Sequence, residues 1–216
     1  MIDVWVVWPT VNADRSRKMI DEWHRYRYKV GILVEENLCR TEVAFESVDY
    51  LIIQDQWEGF PKAVNRLCRE VPGDIVVVVG DDVYPDRGKT AGEIGQEFVD
   101  SFPDLYGVMQ PIGDKFGSYK ICVQSPWIGR KFIETVYNGK GPYWEGYYHY
   151  YSDHELQVIA QQMGIFQQRS DLTQYHDHWQ RHPGEKRPKY LLEAERRWAA
   201  DRALFADRKS RGFPNE

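Results

Sequence analysis

The chain alternates short apolar runs with stretches whose apolar positions recur every three to four residues, the pattern of alternating strands and helices. The run 4–8 predicts a first strand, stopped by Pro9-Thr10. Asp14 is placed to cap a helix reaching about residue 28, with Met19, Ile20 and Trp23 on one face. Apolar runs at 30–34 and 50–53 predict strands two and three. Gly59-Phe60-Pro61 opens a second helix, with Pro61 in its first turn and Ala63, Val64, Leu67, Cys68 and Val71 on the buried face. Pro72-Gly73 ends it. The run 75–79 is β-branched throughout, which predicts a strand covered on both faces and therefore central in a parallel sheet. This β-α-β-β-α-β order predicts right-handed crossovers.

In the second half, Thr90 and Glu93 have capping-box spacing for a helix to about residue 102. Two strands are expected at 106–110 and 119–123, and Ser125-Pro126 is expected to cap a helix to about 136. An irregular segment, 137–151, is rich in glycine and aromatics. Ser152 and Glu155 form a second capping-box pattern, opening a helix that ends before Gly164. A short strand at 165–166 and a charged helix over 190–209 follow. The expected architecture is α/β: a single domain over 1–185 with a mixed, mostly parallel central sheet flanked by helices, then a helical tail over 186–216, packed on it or extending from it.

At 216 residues the chain suits one such domain, and 42% hydrophobic with 28% charged residues is ordinary for a globular protein. No apolar run approaches the ~20 residues that span a membrane, and residues 1–5 enter a strand without a signal segment. Cys39, Cys68 and Cys122 show neither C-x-x-C spacing nor a disulfide pattern, so a reducing, cytoplasmic location is expected. A net charge of −5 gives no general attraction to nucleic acid.

Four features carry candidate chemistry. Gly80-Asp81-Asp82 ends the central strand, where α/β sheets bind ligands. Adjacent carboxylates repel unless a cation or hydrogen bonds compensate, and oxygen ligands suit Mg²⁺ or Mn²⁺; the alternative is a solvated turn. Asp153, at a helix start, either stabilises the helix dipole or serves as a general base. His176-Asp177-His178 would point both imidazoles one way if extended, as metal ligands or as part of a surface turn. The aromatic cluster 143–151, with Tyr143, Trp144, Tyr147, Tyr148, His149, Tyr150 and Tyr151, suits stacking on a sugar or base, or a loop folded onto the core. The Walker, G-x-G-x-x-G and G-x-S-x-G motifs are absent.

Taken in order, Gly59-Phe60-Pro61-Lys62-Ala63-Val64-Asn65-Arg66, Gly73-Asp74-Ile75, Val79-Gly80-Asp81-Asp82-Val83-Tyr84-Pro85 and Ser152-Asp153-His154-Glu155-Leu156 resemble the signature of GT-A glycosyltransferases, especially the family 2-like group. The resemblance spans roughly residues 3–180. It implies a GT-A fold, a nucleotide-diphosphate-sugar donor, and Mn²⁺ or Mg²⁺ on the diphosphate. It implies donor contacts from Pro9, Thr10, Glu35, Asn65, Asp81 and Asp82, and metal ligation by Asp82 or Asp81 with His176 or His178. It implies acceptor contacts from Trp127, Trp144, Tyr147 and Tyr148, and Asp153 as the base of an inverting hexosyl- or pentosyltransferase. The sequence departs from the D-x-D pattern in having Val79 at the first position, which leaves the split of roles between Asp81 and Asp82 open. The acceptor is left open among a sugar, a small molecule and a hydroxylated DNA base, the last as in phage-type DNA modification. The rival readings are a retaining transferase, a GT-A-like nucleotidyltransferase and a non-catalytic nucleotide-binding protein. The stretch 9–15 lacks the glycines that the nucleotidyltransferase reading expects after strand one.

Overall fold

The computed structural model describes residues 2–39 and 45–215. Seven strands form one sheet: β1 (Val4–Thr10), β2 (Lys29–Glu35), β3 (Tyr50–Gln54), β4 (Ile75–Val78), β6 (Val108–Pro111), β7 (Trp127–Gly129) and β8 (Phe166–Arg169). Two short strands, β5 (Val83–Tyr84) and β9 (Tyr175–His176), pair separately. The helices are α1 (Ala13–Arg25), α2 (Glu36–Cys39), α3 (Phe60–Glu70), α4 (Ala91–Ser101), α5 (Arg130–Thr135), α6 (Ser152–Gln162) and α7 (Lys189–Ser210).

The sheet order is β3-β2-β1-β4-β7-β6-β8, parallel except for β7, which runs against both neighbours. Side chains alternate across it as a pleat requires. Trp5, Val7, Val76 and Val78 enter one core with α3, α5 and α6; Val6, Trp8, Val77 and Val79 enter a second core with α1 and α4. The expectation of a doubly covered β4 holds.

The structure departs from the sequence reading at several places. Residues 119–123 are not a strand: the amides of Ile121 and Cys122 turn back to the Ser118 carbonyl, and Ile121 is exposed. The strand is β7 instead, and Pro126, expected to cap a helix, leads into it, its carbonyl accepting from Val78. Proline is tolerated at a strand start because it needs no ladder donor there. At α1 the cap is Asn12, whose side chain accepts from the Arg15 amide, rather than Asp14. The Thr90–Glu93 capping box is present; the one expected at Ser152–Glu155 is not. Tyr151, in the left-handed region at φ 70°, precedes α6 with no side-chain cap. The side chain of Cys39 lies outside the described part. Among the described residues no helix is long and apolar enough to cross a membrane.

Candidate active site

β1 lies between β2 and β4, so the chain leaves it in opposite directions and opens a crevice beyond the strand ends. Val7 pairs with Val78 in parallel register, which places Thr10 beside the acids that follow β4. The Thr10 hydroxyl donates to Asp81 Oδ2 at 2.7 Å. A Cβ at Gly80 would sit 2.7 Å from Asp82 Oδ1, so glycine is what lets the Asp82 carboxylate fold back over the chain. The β5–β9 ribbon pairs Val83 with His176, and the Asp177 amide donates to the Asp82 carbonyl at 2.7 Å. His176 Nε2 thereby comes within 3.2 Å of Asp82 Oδ1. The His178 ring lies 5.1 Å from that of His176, and Phe116 packs against both. Asp177 turns aside to His182 at 2.8 Å.

The two acids are electrostatically unequal. Burial raises the Asp81 carboxyl above the usual range, and its neighbour Asp82 adds to this against the Thr10 and Arg15 contacts. Burial works the same way on Asp82, but His176, then Arg15 and His178, outweigh it and hold Asp82 below the usual range. Burial, together with the neighbouring His176, lowers His178 and favours the neutral imidazole that binds metals.

Asp153 sits in the first turn of α6, its side chain 32% exposed. Its Oδ1 accepts from the backbone amide and the Nδ1 of His154, both at 2.9 Å. Burial opposes its charge, but His154 and the Cys122 thiol outweigh that and hold the carboxyl below its usual range. Cys122, Asp153 and His154 offer ligand-type atoms within 4.8 Å of one another. Burial pushes the Cys122 thiol strongly up, which keeps it a thiol rather than a thiolate, and its Sγ donates to the Ser118 carbonyl at 3.4 Å.

One cavity of about 470 Å³ joins these groups. Pro9, Thr10, Glu35, Asp81, Asp82, His176, His178, Asp153 and Tyr148 all line it, nine of the residues expected from sequence. Four others are elsewhere. Asn65 is fully buried; its side chain donates to the Tyr143 carbonyl at 2.7 Å and accepts from the Tyr143 amide at 3.0 Å, which pins the aromatic segment instead of facing a ligand. Trp127 is buried in the centre of the sheet, placed there by β7 rather than by the helix expected after Ser125-Pro126. Trp144 packs under the Arg208 guanidinium, 3.7 Å above its ring. Tyr147 is buried with its hydroxyl donating to Glu155 at 2.6 Å. These three do not line the cavity.

The sequence reading missed part of the lining: Trp57, Phe60, and the α7 residues Leu191, Glu193 and Ala194; His149, Tyr150 and Tyr143 of the expected aromatic cluster also line it. Burial lowers the His149 imidazole and keeps it neutral against the pull of Asp153 and Asp201. The segment carrying it is held by Asp201, whose carboxylate accepts from the amides of Tyr148, His149 and Tyr150 at 2.9, 3.0 and 2.9 Å. It is held on the other side by Gly59 at φ 106°, where a Cβ would meet the Tyr148 carbonyl at 2.7 Å. Arg15 was also missed; its Nη1 stands 3.6 Å from Asp81 and 3.9 Å from Asp82. Its only signal in the sequence is its place in the first turn after β1.

No protein-family model matches the chain, and no curated protein matches its sequence. Solved structures do. S. aureus TarS 1–349 in complex with UDP superposes with a TM-score of 0.56 at 14% identity, over 81% of this chain and 60% of that one. The mannosyltransferase PcManGT from Pyrobaculum calidifontis, in complex with GDP-Man and Mn²⁺, gives 0.59 at 14% identity, over 89% and 60%. A Bacillus anthracis protein assigned as a glucose-1-phosphate thymidylyltransferase gives 0.50 at 10% identity, over 89% and 99%. The chain spans about 60% of the length of the first two. At these identities the likeness is one of fold, and the fold is GT-A.

Proposed function

We propose that this protein is a metal-dependent glycosyltransferase that moves a sugar from a nucleotide diphosphate to an acceptor hydroxyl with inversion. The observation that carries the reading is the single cavity shared by the Asp81–Asp82–His176 cluster and Asp153. The fold supports it, since TarS and PcManGT are solved with UDP and with GDP-Man and Mn²⁺.

The donor set fits a divalent ion. Asp82 is held ionised beside His176, with the neutral His178 and the buried Asp81 adjacent, an oxygen-and-imidazole set that suits Mn²⁺. Bound there, the ion would neutralise charge on the departing diphosphate. Thr10, Pro9 and Glu35 would face the nucleoside, and Asp81, desolvated and hydrogen-bonded, would accept from donor hydroxyls. Tyr148, Tyr150 and His149 would form the acceptor wall.

Asp153 is the proposed base. The acceptor oxygen attacks the anomeric carbon as its bond to the phosphate oxygen breaks; the hydroxyl proton passes to an Asp153 carboxylate oxygen. Its depressed pKa keeps it ionised at neutral pH, ready to accept. The nucleotidyltransferase reading finds no support at the β1–α1 junction, where Thr10 and Asn12 are bound to each other and the glycines of a triphosphate loop are missing. Asp153→Asn is expected to keep donor binding in Mn²⁺ while donor turnover falls ~10²–10⁴-fold. A donor is first identified by screening nucleotide sugars for Mn²⁺-dependent stabilisation. Unchanged turnover in Asp153→Asn would remove the base assignment and leave retention as the course of the reaction.

A further inference from the structure

Arg15 is the only group of the described α1 helix whose charge reaches the acid pair. At 3.6 and 3.9 Å its contacts are longer than the 2.7–2.9 Å of a charge-assisted hydrogen bond, so it is a loose ion pair shared between the two acids. Its side chain is 35% exposed. The backbone beneath it is fixed, because Asn12 caps the helix on the Arg15 amide. The residue thus combines a capped backbone with a partly exposed head group held by two long contacts.

Its position has a consequence. Removing the guanidinium would leave Asp82 with the His176 ring as its close contact and Asp81 with the Thr10 hydroxyl, among the described residues. A divalent ion held by these acids would share space with a positive charge already within 4 Å of both. Like charges at that distance oppose each other unless an anion lies between them. A diphosphate is such an anion.

Resting on the donor site proposed above, we infer that Arg15 is the internal counter-ion of Asp81 and Asp82 and transfers to the diphosphate when nucleotide binds. In the free protein it opposes the metal; with nucleotide present it cooperates with it. Metal and nucleotide therefore enter as a pair, and the ion is held weakly without the nucleotide. Arg15 is in this sense a positioning residue that sets the order of binding.

The test is Mn²⁺ titration, followed by the electron paramagnetic resonance of free Mn²⁺, into wild type, Arg15→Gln and Arg15→Lys. Each is titrated alone and with saturating UDP or GDP. Without nucleotide, Arg15→Gln is expected to bind Mn²⁺ about five- to tenfold more tightly than wild type. With nucleoside diphosphate the order reverses, and the nucleotide's own affinity in Mn²⁺ falls about tenfold. Arg15→Lys keeps the charge and should retain the wild-type order of affinities. Equal Mn²⁺ affinity of wild type and Arg15→Gln without nucleotide overturns the counter-ion role. The same sign of change in both conditions also overturns it, since a general loss of the site would act that way. Absence of Mn²⁺ binding to wild type in every condition overturns this inference and the donor-site reading together.

Discussion

Asp153 and His154 are consecutive, and their side chains meet at 2.9 Å in the first turn of α6. Burial would lower the His154 imidazole, but the Asp153 carboxylate outweighs it and raises it above the usual value. Asp153 moves the other way. The sign follows from linkage. A raised His pKa stabilises the fold below the unfolded value, about 6.5, and that contribution is lost as pH rises through the folded value. A depressed Asp pKa stabilises above about pH 4 and is lost as pH falls through the folded value. The stability gap between wild type and His154→Gln should therefore be widest between about pH 4 and 6.5 and shrink above that window. Chemical denaturation across pH measures it; a gap independent of pH would contradict the pairing. At this scale the place of the acid pair was legible, because a β-branched run ending in Gly-Asp-Asp sets both carboxylates at the end of a central strand. Asn65 was not, because its partner at Tyr143 lies 78 residues away and only the folded chain brings the two together.

Among the elements, α6 and α7 show where local sequence misleads. Ser152 and Glu155 have capping-box spacing, yet Glu155 is fully buried, receiving the Tyr137 and Tyr147 hydroxyls and the Arg208 guanidinium at 2.8 Å. A long-range cation outbids the local amide, and nothing within four residues of Glu155 signals it. The same contact explains why α7 does not behave as a solvated charged helix: Asp201 and Arg208 are its buried charges, and both serve the segment 137–155. β7 was hidden for a related reason. It is only three residues long, and its antiparallel place between β4 and β6 is set by tertiary pairing rather than by its own pattern. Arg208→Met should lower stability by about 3–5 kcal/mol, because it leaves the Glu155 carboxylate buried without its cation. Urea denaturation followed by tryptophan fluorescence checks this. A loss under about 1 kcal/mol would mean the pair behaves as a surface salt bridge and that α7 is not anchored through it.

For the molecule as a whole, the parallel half of the sheet and its central strand were legible from periodicity, and the crevice followed from them. The cavity was not, since its walls come from the β1 and β4 ends, the aromatic segment held by Gly59 and Asp201, and the N-terminal half of α7. This convergence puts the acid–histidine cluster and the helix-tip carboxylate in one enclosure, and it is the basis for reading the chain as a glycosyltransferase. The most direct measurement is the Mn²⁺-dependent rise in melting temperature produced by nucleotide sugars, in wild type and Asp82→Ala side by side. A ligand at a hundred times its Kd adds about 2.7 kcal/mol, about 5–10 °C for a chain of this length. Wild type should show that rise with at least one donor only when Mn²⁺ is present, and Asp82→Ala, folded to the same extent, should show none. An equal rise in the variant, or a rise in wild type that does not need the metal, would contradict the account.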